Sequence, residues 1–188
     1  MTKTGRSRMS DVMAPLATVT ALPAQGMITI RGNLKDAGFI AAVKSASGLD
    51  VPAQRQIVTQ KELALAWMSP DELLLLCGYE DAPALTNAMT EAFGDQFAMA
   101  VVVSDARAVF DLEGPKVRDV LGKLAPVDMA PGSFGHGEIR RTRLAQVAAA
   151  FWLTCDDSAR LVCFRSVAQY AEDLLKTSAK PGTEVGYF

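Results

Sequence analysis

Apolar residues recur along this chain with two periods, and the switches between them mark its elements. Met27-Ile28-Thr29-Ile30-Arg31 reads as a strand ending at Gly32. Phe39, Ile40, Val43 and Ala46 then fall at helical spacing, with Asp36 placed to cap the start and Gly48 to end the helix. Leu63–Met68, a turn at Ser69-Pro70-Asp71, and Leu73–Gly78 predict a hairpin. A second helix follows, marked by Leu85, Ala88, Met89 and Ala92, with Asp81 as cap and Pro83 in its opening turn.

The second half repeats this plan, the kind of self-similarity that signals duplicated units. Ala108–Glu113 predicts a strand ending at Gly114. Pro115 opens a helix with Val117, Val120, Leu121 and Leu124 on one face. Ala148–Thr154, a turn at Asp156-Asp157-Ser158, and Arg160–Phe164 form another hairpin. Ser166 is placed to cap a last helix with Val167, Tyr170, Leu174 and Leu175 on its face. Ala98–Val103 is a further strand at the junction, and Trp67 and Trp152 occupy near-equivalent hairpin positions. Neither unit alone buries both faces of its sheet, so the two are expected to pack as one α+β body, with mixed or antiparallel sheets and helices on one side. The expected division is an N-terminal arm over 1–26, a first repeat over 27–103 and a second over 104–188, forming one compact body.

The arm has a different texture. Lys3, Arg6 and Arg8 make a basic start, but Asp11, Pro15, Thr18, Thr20 and Pro23 interrupt the apolar stretch an export signal needs. The reading is an extended arm able to lie on a neighbour, with a loose terminus as the alternative.

Composition removes several classes of function. At 188 residues the chain can bury a real core, with 49% apolar and 21% charged residues. A net charge of −2 argues against a general nucleic-acid binder. His136 is the one histidine, which removes multi-histidine metal sites, and Cys77, Cys155 and Cys163 form no C-x-x-C. An odd thiol count suits a reducing, cytoplasmic setting. The longest apolar runs fall far short of the ~18 residues of a membrane span.

The remaining chemical candidates have bland explanations. Gly132, Gly135 and Gly137 lack the strand–turn–helix setting of a phosphate loop. His136 has no G-x-S-x-G partner. Arg141 and Arg143 share one strand face, with Arg140 and Thr142 on the other; two guanidiniums could hold a carboxylate or phosphate, or form a solvated or partner-facing surface. Cys77 ends an apolar strand as a buried thiol. Asp71 with Glu72, and Asp156 with Asp157, sit at hairpin turns, where neighbouring carboxylates point apart.

One resemblance covers about residues 14–178. It is carried by Ile28-Thr29-Ile30-Arg31-Gly32, by Trp67-Met68-Ser69-Pro70-Asp71-Glu72-Leu73-Leu74-Leu75, and by Ser104-Asp105. Leu112-Glu113-Gly114-Pro115, Val117-Arg118-Asp119-Val120-Leu121, Asp128-Met129-Ala130-Pro131, Phe134, Gly137, Arg141-Thr142 and Leu144-Ala145 continue it. In these segments the chain resembles the gamma subunit of heterotetrameric sarcosine oxidase. Its layout is also similar to the folate-binding domain of the glycine-cleavage T-protein. The resemblance implies two ferredoxin-like strand–helix–strand–strand–helix units. It implies a non-catalytic subunit that assembles with alpha, beta and delta subunits and closes their folate-handling region. That complex demethylates sarcosine oxidatively to glycine, yielding hydrogen peroxide and methylenetetrahydrofolate. FAD, FMN, NAD, tetrahydrofolate and zinc are expected in the partner subunits and none in this chain. Expected catalytic and metal residues are likewise none, and no nucleic acid or membrane partner is implied. The alternative is a stand-alone tetrahydrofolate-binding or one-carbon-transfer module, with Asp105 toward the pterin and Arg141 or Arg143 toward the glutamate tail.

Overall fold

A computed structural model describes residues 14–186. Within them the first half runs β1 (Thr18–Ala21), β2 (Gly26–Arg31), α1 (Ala37–Ser47), β3 (Ile57–Gln60), β4 (Leu63–Ser69), β5 (Glu72–Cys77) and α2 (Ala82–Phe93). The second runs β6 (Met99–Val102), β7 (Arg107–Glu113), α3 (Val117–Gly122), β8 (Ile139–Leu144), β9 (Val147–Cys155), β10 (Ser158–Phe164) and α4 (Ala168–Ser178). Two five-stranded sheets result, ordered β3-β4-β5-β2-β6 and β8-β9-β10-β7-β1, and their pairings are antiparallel. The α+β duplication is as the sequence predicts, and its ferredoxin-like units are as the resemblance implies.

Period-two alternation sends the side chains of each strand to two different cores. From the first sheet, Ile28, Ile30, Leu73 and Leu75 pack under α1 and α2. Their neighbours Met27, Leu74 and Leu76 meet Val109, Ala150, Trp152 and Val162 of the second sheet. Phe110, Leu112, Phe151 and Leu161 face α3 and α4. The body is thus four layers deep, helix–sheet–sheet–helix. β5 is buried along its whole length because apolar layers cover both its faces.

The leading strand of each half is exchanged. β1 precedes β2 in the chain but pairs with β7, Thr18 opposite Glu113 through Ala21 opposite Phe110. β6 precedes β7 but pairs with β2, Arg31 opposite Met99 through Ile28 opposite Val102. Each sheet is therefore completed by the other half. The described part of the expected arm pairs with this chain's own second sheet: Leu16 N donates to Ala179 O at 2.9 Å and Leu22 N to Val109 O at 2.9 Å. Residues 1–13 lie outside the described residues.

Local signals explain most element ends. The Asp36 carboxylate accepts from Phe39 N at 2.8 Å, and Gly48 closes α1 at φ 74°. Several expectations differ. α3 ends at Gly122, so Leu124 lies beyond it, and Ala88 on α2 is exposed. Asp81 precedes α2 but makes no side-chain cap bond. Ser166 does not cap α4: Arg165–Val167 form a 3₁₀ turn, and Val167 holds the cap position. Tyr170 is not on the buried face of α4, which is Ala171, Leu175 and Ser178. The helix period is right, but the extra 3₁₀ turn rotates which residues face the sheet.

Candidate functional site

The two sheets are stitched along one side. Gln56 and Glu138 form a bridge, Ile57 N donates to Gly137 O at 2.9 Å, and Ile139 N donates to Arg55 O at 2.8 Å. Beside this seam lies a cleft of about 660 Å³. The β4–β5 hairpin contributes Trp67, Met68, Ser69 and Pro70 to its wall; β8 contributes Arg140, Arg141 and Thr142. Asp128 and Ser133 enter from the loop after α3, and Arg55 from the turn before β3. Segments far apart in the chain, including three that carry the family resemblance, thus meet at one place.

Polar contacts fix this loop. Arg118 Nη1 donates to Met129 O at 2.7 Å and Phe134 O at 2.9 Å. The Arg140 guanidinium lies 4.8 Å from the Phe134 ring centre and donates to Ser133 O and Glu138 Oε1. Asp128 Oδ1 accepts from Ala130 N at 3.0 Å, and a hydrogen bond from Ser133 holds its carboxyl below the usual range. The pairing of Arg141 with Arg143 on one face follows from the pattern: Ile139 enters the inter-sheet core and Leu144 the outer one. Arg141 Nη1 donates to Met68 O at 3.4 Å and lies 4.0 Å from Glu72 Oε2.

The candidate folate residues lie on different elements. Arg141 lines the seam cleft, Arg143 lies farther along β8 away from that lining, and Asp105 is on the 3₁₀ turn Ser104–Ala106. There Asp105 accepts from Tyr79 Oη, which pushes the phenol's pKa up. His136 Nε2 pairs with Asp156 Oδ1 at 2.9 Å, tying the glycine-rich loop to the β9–β10 turn. Asp71 and Glu72, expected to point apart, are both held by Arg31, at 2.9 and 3.0 Å. The Ser69 hydroxyl chiefly keeps the Asp71 carboxyl below its ordinary value; desolvation opposes this and Arg31 adds to it.

Cys77 and Cys163 are buried, and burial pushes both thiols up to about 11. Cys155 is exposed. Trp152 is buried between the sheets while Trp67 is half-buried on the cleft, so equivalent hairpin positions hold unlike environments. Sequence reasoning missed Arg55, whose backbone is left-handed at φ 63°, and Arg107, whose Nε is buried with no partner among the described residues. Arg107 had a weak signal, its period-two spacing with Val109; Arg55 had none. Among the described residues no group of three or more His, Cys, Asp or Glu gathers as a metal site, and no helix is long and apolar enough to cross a membrane.

Two stitched antiparallel sheets under outer helices place the chain in the fold class of the glycine-cleavage T-protein. The aminomethyltransferase T of the glycine cleavage system from Bartonella henselae superposes with a TM-score of 0.59 at 15% identity, covering 85% of this chain and 45% of that one, a likeness of fold. The chain belongs to the sarcosine oxidase, gamma subunit family, whose model matches residues 31–180. Sarcosine oxidase subunit gamma of Corynebacterium sp. (strain U-96) is 34% identical over 124 residues, 65% of this chain and 60% of the relative. The matched region thus spans about 60% of the length of that curated relative. A chain of the heterotetrameric sarcosine oxidase from Corynebacterium sp. U-96 superposes with a TM-score of 0.80 at 27% identity, covering 87% of this chain and 83% of that one.

Proposed function

We infer that this chain serves as the non-catalytic gamma subunit of a heterotetrameric sarcosine oxidase, assembling with alpha, beta and delta subunits. The observation that carries this reading is the structural likeness across 87% of the chain to a chain of such a complex. In this role it closes the folate-handling region of a larger subunit. Oxidative demethylation of sarcosine to glycine, with hydrogen peroxide and methylenetetrahydrofolate as products, takes place in the partners. FAD, FMN, NAD, tetrahydrofolate and zinc reside there. The contribution of this chain is shape: a rigid double sandwich whose seam and open edges meet other subunits. Residues 27–103 and 104–188 act as one body because their sheets share an apolar core and the chain ahead of residue 27 adds β1 to the second sheet. Three free cysteines suit a cytoplasmic setting.

Co-expression of the full chain with the three partner subunits tests the reading. The expected result is one flavin-coloured assembly on size exclusion that retains this chain. Elution of this chain apart from a coloured complex overturns it. Titration of the free chain with tetrahydrofolate is expected to release no heat; millimolar or tighter binding would revive the stand-alone folate module.

A further inference from the structure

The seam cleft differs in charge from the chain that forms it. Its ionisable lining is Arg55, Arg140 and Arg141 against Asp128, whereas the whole chain has a net charge of −2. Two of these four groups are already occupied. Asp128 is held by Ala130 N and Ser133, and Arg140 by Glu138, Ser133 O and the Phe134 ring. Two guanidiniums are left over. Arg55 is exposed and makes no side-chain hydrogen bond or ion pair among the described residues. Arg141 keeps 51% of its side-chain surface exposed; its 3.4 Å bond to Met68 O is long, and Glu72 is held more closely by Arg31.

The backbone holds this pair in place. Arg55 is fixed in its left-handed conformation by the turn bond from Gln56 N to Ala53 O and by the bond from Ile139 N to its own carbonyl. Arg141 sits mid-strand, opposite Ala150. The same wall also carries the apolar side chains of Trp67, Pro70, Pro126 and Val127. Arginine and tryptophan beside small apolar side chains is the composition of protein interface centres, and a small free anion would leave that apolar wall uncovered.

We propose that the seam cleft docks an acidic loop or terminus of one of the larger subunits. Arg55 and Arg141 hold its carboxylate, and a neighbouring apolar side chain rests on Trp67. The proposal rests on the subunit reading above. Charge complementarity selects the occupant: one cation without a partner among the described residues and one held only at long range, on a chain that is acidic overall, favour a partner's Asp or Glu. Because the cleft straddles the seam, a segment seated there touches both halves at once.

The full assembly provides the test. Phenylglyoxal should modify Arg55 and Arg141 in the free chain and spare both in the purified complex. The double variant R55Q/R141Q should assemble about tenfold more weakly and with a flatter dependence on salt. R55K/R141K should recover part of the loss, K35Q should assemble normally, and all should retain the wild-type circular dichroism. Arginines equally reactive in free chain and complex, together with undiminished assembly of R55Q/R141Q, would overturn the cleft as a docking site while leaving the subunit reading intact. Protection by inorganic sulfate in the free chain but none in the complex would reduce the cleft to an anion site and overturn docking. A wild-type chain that joins no assembly would overturn both readings.

Discussion

The outer face of the first sheet is covered by two regular helices, and that of the second by one regular helix, α4, one short helix, α3, and irregular chain. α1 and α2 run 11 and 12 residues and lock together through Phe39 and Phe93, stacked at 5.5 Å and 7°. α3 has 6 residues. The space it leaves is filled by Ala125, Met129 and Phe134 from the following loop, and by Leu16 and Ala17 from ahead of β1. Irregular backbone at a core edge needs other partners for its carbonyls. Arg118 supplies them to Met129 and Phe134, and Lys123 to Ser178 and Thr183. Duplicated units can therefore keep one strand frame while changing the cover, provided long cationic side chains replace the lost helical hydrogen bonds.

Substitutions can break this contrast. Phe134 meets Phe151 edge-on at 5.6 Å, and both are fully buried. Phe134→Ala should cost about 3–5 kcal/mol, the same range as Phe39→Ala in the helical cover. Urea unfolding checks this, and a cost near zero for Phe134→Ala would show that the loop is no part of the core. Arg118→Ala should cost about 2 kcal/mol by orphaning two carbonyls, and should open residues 126–134 to limited proteolysis, for which the first unit has no counterpart.

Gly114 sits where the arm crosses the end of β7. A Cβ there would lie 2.7 Å from Ala17 Cα and Leu16 O, so Gly114→Ala should cost about 1–3 kcal/mol. Faster amide exchange in β1, with β6 unchanged, is the expected signature. The helix starts sharpen the comparison on a finer scale. Asp36→Ala should lose about 1 kcal/mol, whereas Asp81→Ala, which removes no cap bond, should lose only a few tenths; thermal melts distinguish them.

The smallest effect concerns one buried thiol in each unit. Cys77 and Cys163 have folded pKa values raised to about 11 from 9.0, so the folded state holds those protons longer. Their contribution to stability is complete below pH 9 and is lost as the pH rises toward 11. The alkaline fall in stability should shrink in C77A and C163A alike. At pH 8 a thiol reagent should label exposed Cys155 alone until the chain unfolds.

Much of the frame was legible because burial on alternate faces writes itself into period two. Both hairpins, β2, β6, β7 and α1 with its Asp36 cap and Gly48 stop could be read directly. β1 and β3 could not: each is a four-residue edge strand with weak alternation, and neither has the unbroken apolar run Ala98–Val103 that marked β6, an edge strand of the same length. Proline at 15 and 23 further disguised β1 as a tail. Of the candidate site, the face shared by Arg141 and Arg143 was legible. Their separation from Asp105, the unpaired state of Arg55 and the burial of Glu72 beneath Arg31 were not, since each depends on which strands become neighbours.

By itself the sequence determined a duplicated α+β chain with paired hairpins and a capped first helix, because local periodicity and turn chemistry act over a few residues; the gamma-subunit likeness came from the resemblance of particular segments. Tertiary structure alone decided the exchange of β1 and β6, the unlike surroundings of Trp67 and Trp152, and the basic cleft at the seam. Those features come from contacts between residues tens of positions apart, and such contacts are set by how the two sheets cover each other's apolar faces.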